Sequence, residues 1–414
     1  MATGIRGRSG RTVVWAVALM LGQSALAADA GKPASGLATA LEQAWRLHPE
    51  AAALEAREAE ARANQDIAAG LTPEPGSVSI SSRNDRLNRN LGKQEYEVEL
   101  STPLWLPGQK AAREAEATSR IDEASAKRAA LRSALAGELR DAWWTLAAAR
   151  NAQTLAARRL DTARALEADV RRRYTVGELS RIDANLAQGE VHAAGAELIE
   201  TEATLLQAEQ ALRTLTGTAA PQEMAEEKEK RKEKGARLET HPTLMAAAAA
   251  ARSARARVTV ADESRRASPE LALRAVRERD DSAESYANTI GIRLKIPFSS
   301  GAQVRREASS AQAEADQADA EMLRIEMRVR LEAERAQRAF SAAERQLLMA
   351  QERLALSAEN LRLSERAFSL GESDLAALLR IRAAAFDAEA FLGRQRVARA
   401  AAISRLNQSM GVLP

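Results

Sequence analysis

The sequence predicts a mainly α protein with a small β part, in which one structural unit is written twice along 414 residues. Three observations predict it. Landmark residues recur in order at one offset of 193 to 194 positions. Each copy holds a run of more than sixty residues without proline, rich in Ala, Leu, Arg and Glu. Each copy also carries, at the same place, two short stretches in which apolar and polar residues alternate.

The offset comes first because an internal repeat decides how everything else is read. His48-Pro49 recurs as His241-Pro242, Pro103 as Pro297, and Gly108 with Arg113-Glu114 as Gly301 with Arg306-Glu307. Tyr174-x-x-Gly177-Glu178 recurs as Phe368-x-x-Gly371-Glu372, and Leu212 to Gly217 as Leu406 to Gly411. The chain divides into an N-terminal leader (1–27), a first repeat (28–220), a charged linker (221–236) and a second repeat (237–414). The linker stretch PQEMAEEKEKRKEK has no apolar periodicity and reads as an exposed connection.

The leader has the form of a cleavable signal peptide: Arg6, Arg8 and Arg11, an apolar stretch from Thr12 to Gly22, and Ala25-Leu26-Ala27 as the cleavage site. The alternative is an uncleaved anchor, for which the apolar stretch is short against the ~20 residues of a membrane span. Three of the 60 basic residues leave with it, so the remaining chain balances its 57 acidic ones. Nucleic acid therefore has no electrostatic footing as a partner. Cysteine is absent, which excludes disulfides, thiolate metal sites and a cysteine nucleophile. Aromatic residues are only 3% of the chain, against 45% hydrophobic residues overall, much of it alanine. That balance suits helix–helix seams of small side chains.

Each repeat opens with a helix, its proline (Pro49, Pro242) in the first turn, where the missing N–H costs nothing. Pro73 to Gly76 and Ser268-Pro269 end these helices. Strands follow. Val78 and Ile80 alternate with serines, and Tyr96, Val98 and Leu100 with glutamates. In the second copy Leu271, Leu273 and Ala275 alternate with Ala272 and Arg274, and Ile290 to Ile296 alternate with Gly291, Arg293 and Lys295. The polar hairpin tips are 83–90 and 277–282. Such alternation fits a transmembrane barrel or a half-buried soluble hairpin equally well.

From Gly108 to Tyr174 and from Gly301 to Phe368 the sequence predicts single helices on the order of 100 Å long. The second shows its seam: Ala311, Ala315, Ala318, Met322, Ile325 and Val329, then Ala343, Leu347, Ala350, Leu354, Ser357, Leu361, Ser364 and Phe368. Spacings of four and three give the 3.5-residue period of supercoiled helices. Gly177 and Gly371 mark tight turns into return helices over 180–215 and 374–410. The two hairpins supply four strands, fewer than the eight of the smallest single-chain outer-membrane barrel. If they lie in a membrane, several chains share one barrel. On that reading the expected fold class is mainly α with a small β part: tandem long helices that could continue the tube, plus four strands per chain contributed to a shared transmembrane β-barrel.

Over nearly its whole length after the leader, the chain resembles the TolC-like outer-membrane efflux family. The resemblance is carried by the tandem offset, the His-Pro helix starts, Pro103 with Trp105-Leu106-Pro107-Gly108-Gln109-Lys110, and the two Gly-Glu tips. The GQK segment and the tip LGESDLAALLR look most like the CzcC-like heavy-metal branch. The resemblance implies a homotrimer with a twelve-strand barrel in the lipid of the outer membrane and an α-helical periplasmic barrel. It implies passive conduction of substrates received from a periplasmic adaptor and an inner-membrane pump, with no cofactor.

Several residues are candidates for roles in such a channel. Val176, Gly177, Glu178, Leu370, Gly371 and Glu372 are adaptor-docking candidates at exposed turns; helix-turn packing is the plainer alternative. Arg181, Asp183 and Asp374 are candidates for a periplasmic constriction, against ordinary capping of the return helices. The family's acidic position after the glycine is Asp183 in the first copy but Ala377 in the second. Tyr96, Trp105 and Phe298 are candidate interface aromatics, with packing onto the helices as the alternative. His48 and His241 are repeat-equivalent helix starts, His192 stands alone, and none is read as a metal ligand. No nucleophile–base pair or phosphate loop is found, so an enzyme is not expected. The alternative functions are a soluble periplasmic coiled-coil scaffold and, less well supported, a periplasmic adaptor.

Overall fold

The structure is a computed structural model and describes residues 36–88, 90–229, 238–298 and 301–414. The expected leader and residues 230–236 of the linker lie outside the described residues. The first repeat runs α1 (Leu37–Leu47), α2 (Pro49–Ala69), β1 (Ser77–Asn84), β2 (Gln94–Pro103), α3 (Gln109–Thr175) and α4 (Arg181–Thr216). The second runs α5 (Pro242–Glu263), β3 (Glu270–Arg279), β4 (Ala287–Lys295), α6 (Gly301–Ser369) and α7 (Leu375–Ser409). At ~1.5 Å per residue the 67 residues of α3 and the 69 of α6 are rods of roughly 100 Å.

The 3.5-residue pattern does the work expected of it. All fourteen seam positions named for α6 are buried or half-buried in its packing with α5 and α7. On α4, Ala187, Val191, Ala194, Leu198, Thr201, Leu205, Ala208 and Leu212 form the equivalent covered seam against α3. Alanine at these positions lets the helix backbones approach closely. The helices lie as a wall. α3 packs against α2 and α4 on one side and against α5 and α7 on the other; α6 closes the far side against α5 and α7. The two edges of the wall are therefore α2 with α4, and α6.

A separate helix α1 is not distinguished from α2 by sequence; of the corresponding stretch in the second repeat the described residues hold a single 3-10 turn, Leu238–Thr240. Leu37, Ala40, Leu41 and Ala44 bury one face of α1 on Leu135, Leu139 and Trp143 of α3. His48, held extended at φ −73° and ψ 121°, breaks the helix ahead of Pro49. Trp143 and Trp144 both belong to this cluster, and the Trp144 indole N–H donates to the Ser404 hydroxyl at 2.8 Å. Full burial of large side chains such as Leu139 and Leu146 contributes about 1.5–3 kcal/mol each.

The four strands form one antiparallel sheet in the order β1-β2-β3-β4, leaving β1 and β4 as edges. The strands outrun the sequence expectation. Arg83 lies within β1, and Arg277 and Arg279 extend β3 instead of forming a tip. β4 ends at Lys295, two residues short of the Pro297 expected to close it, whereas Pro103 is the last residue of β2.

Candidate functional site

The sheet has one apolar and one charged face, and the register sets them out row by row. On one face stand Val78, Leu100, Leu273 and Ile292 side by side, then Ile80, Val98, Ala275 and Ile290, with Leu271 beside Leu294 at the helix end. Nothing among the described residues covers this face. Ile80 is 79% exposed, Ile290 77% and Ile292 79%. On the opposite face every arginine meets a glutamate. Arg274 pairs with Glu97 at 2.6 Å, Arg293 pairs with Glu99, and Arg83 reaches Glu95 at 3.5 Å. Hairpins that belonged to a soluble core would bury their apolar face; these expose it and keep the charges together.

The helix wall has apolar edges too. α6 leaves Leu323, Met327, Leu331, Met349, Leu356 and Leu363 exposed on the side away from its seam. α4 leaves Ile182, Leu186, Ile199 and Leu206 exposed opposite its own. No described helix is long and apolar enough to cross a membrane.

Both helix turns are built the same way. Gly177 at φ +83° and Gly371 at φ +76° take the left-handed conformation. The Gly177 and Glu178 amides donate to the Tyr174 and Arg173 carbonyls at 3.0 and 2.9 Å, and the Gly371 and Glu372 amides donate to Phe368 and Ala367 at 3.1 and 2.9 Å. This pair of bonds is the Schellman motif, which satisfies the helix-end carbonyls internally. The side chains of Val176, Glu178, Leu370 and Glu372 are left exposed and take no part in that backbone bonding. Behind the turns Leu166, Val170, Ala187, Phe368, Leu375 and Leu378 make a small core that ties the two hairpins together.

The candidate constriction acids are engaged in capping. The Ser180 hydroxyl accepts from the Asp183 amide at 3.2 Å, and Asp183 accepts from the Ser180 amide at 3.0 Å, a reciprocal capping box. Asp374 caps α7 directly, accepting from the Ala377 amide at 2.6 Å. This accounts for the unmatched Ala377: the second repeat caps through its N-cap residue, equivalent to Ser180, and needs no acid three residues on. Arg181 is exposed and makes no hydrogen bond or ion pair among the described residues.

The candidate aromatics separate. Tyr96 lies on the apolar face at the hairpin end, and Phe298, beyond β4, is 95% exposed. Trp105 is half-buried past the end of β2, its indole N–H donating to the Gly70 carbonyl at 3.2 Å, so its contacts are those of packing at the helix–strand junction.

Sequence reasoning missed a buried clasp that anchors the linker at three of its residues. Pro221 is buried and Met224 packs on the α1–α3 core. Glu227 accepts two hydrogen bonds from Arg140, at 2.7 and 2.9 Å, and Arg140 is 1% exposed. Arg140 also donates to Gln408 of α7 and, at 3.0 Å, to the Val412 carbonyl. Pro221, Met224 and Glu227 thus tether the described part of the linker, while Gln222, Glu223, Ala225, Glu226 and Lys228 stay exposed as the charge run implies. The repeat-equivalent histidine His241 is buried as well. Its Nδ1 accepts from the Thr243 amide at 3.3 Å, and burial holds its pKa below the usual 6.5. Among the described residues no three His, Asp or Glu side chains are placed to hold a metal ion.

These features coincide with known proteins. Residues 38–218 match the sequence model of the outer membrane efflux protein family. That match spans the first repeat. No curated protein sequence matches it. Among solved structures it is similar to the Campylobacter jejuni CmeC outer membrane channel, at 16% identity and a TM-score of 0.74, over 91% of this chain and 85% of that one. It is similar to the outer membrane protein VceC of Vibrio cholerae at 16% identity and TM-score 0.73, over 91% and 96%. The open-state Neisseria gonorrhoeae MtrE outer membrane channel matches at 17% identity and TM-score 0.73, over 91% and 89%. At these identities the likeness establishes a shared fold, which spans both repeats.

Proposed function

We propose that this chain is a member of the outer membrane efflux family and a channel subunit, and that three copies close into one tube through the outer membrane and the periplasm. The observation that carries the proposal is the uncovered apolar face of a sheet on whose opposite face every arginine is paired with a glutamate. In lipid the exposed isoleucines, leucines and valines are solvated by acyl chains, and the arginine–glutamate ladder faces a wet lumen. Strands of eight to ten residues have the length a tilted strand needs to cross the hydrocarbon. The open strand edges β1 and β4 and the apolar edges of α4 and α6 would be answered by neighbouring copies.

Conduction through such a wall is passive. The lumen side carries Arg83, Arg274, Arg293 and Lys295 against Glu95, Glu97, Glu99, Glu270 and Glu278 on β1 to β4, and no cluster placed to hold a metal ion is found among the described residues. Substrates arrive from an inner-membrane pump through a periplasmic adaptor, and the exposed Val176, Glu178, Leu370 and Glu372 at the Schellman turns of Gly177 and Gly371 are our docking points for the adaptor. We assign Asp183 and Asp374 to capping, which leaves Arg181 as the constriction residue to test. Heavy-metal cations are the substrate class to try first, on the likeness of the second tip to the metal-efflux branch.

A soluble periplasmic scaffold would need only the helices and would leave the strand face in water, a contiguous apolar patch of the kind soluble proteins avoid. The deciding experiment is extraction of the protein from membranes in mild detergent, followed by mass and shape measurement. A long tapered trimer supports the channel; a monomer or dimer that needs no detergent replaces it with the scaffold.

A further inference from the structure

We infer that the hairpin end of the sheet carries a binding site for the phosphate of a membrane lipid headgroup, built from Arg277, Arg279 and Tyr286. The inference rests on the membrane reading of the sheet. Because side chains alternate along β3, Arg277 and Arg279 follow Leu271, Leu273 and Ala275 on the apolar, outward face. Arg277 stands one row beyond the last apolar row, between Tyr96 and Asn288, and Arg279 one row further, beside Gln94. The pair therefore sits where an apolar band ends and headgroups begin. β3 is an inner strand, so a neighbouring copy joining at β1 or β4 does not cover them.

Both guanidinium groups are held in place. They lie 4.6 and 4.9 Å from the centre of the Tyr286 ring, and the Tyr286 hydroxyl donates to Gln94 Oε1 at 2.5 Å. Arg279 Nε donates to the Gly92 carbonyl at 3.2 Å. Gly92 permits this approach: at φ +95° a Cβ there would lie 2.8 Å from the Ser282 backbone nitrogen.

The charge balance points to an absent anion. Each inner-face arginine of the sheet has a glutamate, whereas Arg277 and Arg279 have no ion pair among the described residues. Of the acids that follow them, Asp281 lies within electrostatic reach of Arg279 but makes no ion pair with it, and the hydrogen bonds of both acids go elsewhere. Asp280 pairs with Lys93 at 2.7 Å, and Asp281 accepts from the Ala283 amide and the Ser282 hydroxyl, both at 3.1 Å. Two cations two residues apart repel unless an anion lies between them. A phosphate offers the planar guanidinium group paired acceptors, and anionic headgroups at the membrane surface supply it.

The test uses the full assembled protein reconstituted into phosphatidylcholine vesicles doped with phosphatidic acid, with retained lipid counted by native mass spectrometry. The wild type should retain phosphatidic acid over phosphatidylcholine. Arg277→Gln with Arg279→Gln should weaken that retention about twenty-fivefold, from a roughly fivefold contribution of each cation near the surface. Arg277→Lys with Arg279→Lys should keep most of it. Equal retention by the glutamine variant overturns the site, as does equal loss of both lipids, which would report general damage to the lipid face. Displacement by millimolar inorganic phosphate as readily as by phosphatidic acid also overturns it, because a lipid site gains from its acyl chains. A wild type that fails to enter vesicles sinks the membrane reading itself; one that enters but shows no headgroup preference sinks this inference alone.

Discussion

Leu273 lies in the second row of the apolar band, between Leu100 and Ile292, on an inner strand. Leu273→Arg would put a guanidinium group near the middle of the hydrocarbon. An arginine at the midplane of a transmembrane barrel costs about 2–4 kcal/mol. Three copies make that about 6–12 kcal/mol per barrel, four orders of magnitude or more in assembly at 1.4 kcal/mol per decade. Ser79 is the control, because it lies on the opposite face with Glu99 as its cross-strand partner. Ser79→Arg places the same group on a polar wall beside a carboxylate, and the expected change is within about 1 kcal/mol. The assay is the fraction of chain recovered from outer-membrane fractions as an oligomer that survives unboiled electrophoresis. Leu273→Arg should abolish that oligomer and Ser79→Arg should preserve it. The reverse result would mean that the faces are assigned backwards, and tolerance of both would mean that the sheet does not lie in lipid.

Three further outcomes follow from the site geometry. Glu227→Gln leaves Arg140 buried without its countercharge and should cost on the order of 3 kcal/mol in denaturant unfolding, whereas Arg140→Met with Glu227→Met should fall within about 1 kcal/mol of wild type. His241 has a depressed pKa in the folded chain, so its contribution is present above pH 6.5 and is lost as pH falls through the folded-state value; His241→Asn should flatten thermal stability between about pH 7 and 5. Asp183→Ala and Asp374→Ala should each cost about 1 kcal/mol of thermal stability through a lost cap and leave cation preference in planar bilayers unchanged; an altered preference would restore these acids to the constriction.

Much of the fold was legible because its signals are periodic. A heptad seam repeated over fourteen positions of α6 leaves one face to bury, and alternation in β1 to β4 separates two sheet faces without reference to tertiary structure. The tip glycines were legible for a local reason, since a left-handed residue ends each rod. What escaped reading depends on partners distant in sequence. Nothing about Glu227 in a run of glutamates and lysines marks it as the one that meets Arg140 of α3, 87 residues away. Arg277 and Arg279 were legible in principle, because the alternation of Leu271, Leu273 and Ala275 continues through them; their charge made them look like a tip. The capping exchange between Ser180 with Asp183 and Asp374 with Ala377 shows a backbone need met by different residues, which an alignment of acids alone misreads.

The internal repeat also predicts how copies meet. β1 maps onto β3 at an offset of 193 and β2 onto β4 at 194, since Ile80 opposite Val98 becomes Leu273 opposite Ile292. Within the chain, β2 of the first repeat pairs with β3 of the second, and α3 packs on α5 and α7. The same contact carried one repeat further joins β4 to β1 of the next copy, and α6 to its α2 and α4. Leu100 opposite Leu273 within the chain then becomes Leu294 opposite Ile80 of that copy. The two edges differ, so the contact is head-to-tail and generates a ring rather than a two-fold dimer. The native chain has no cysteine, so Ile80→Cys with Leu294→Cys introduces the only thiols. A short thiol crosslinker should convert this variant in membranes into covalent dimers and trimers. Ile80→Cys with Ile290→Cys, four residues out of register and some 13 Å apart along the strand at ~3.3 Å per residue, should give few. Equal crosslinking of both variants, or crosslinking of the second alone, would mean that neighbouring copies do not meet as the two repeats do.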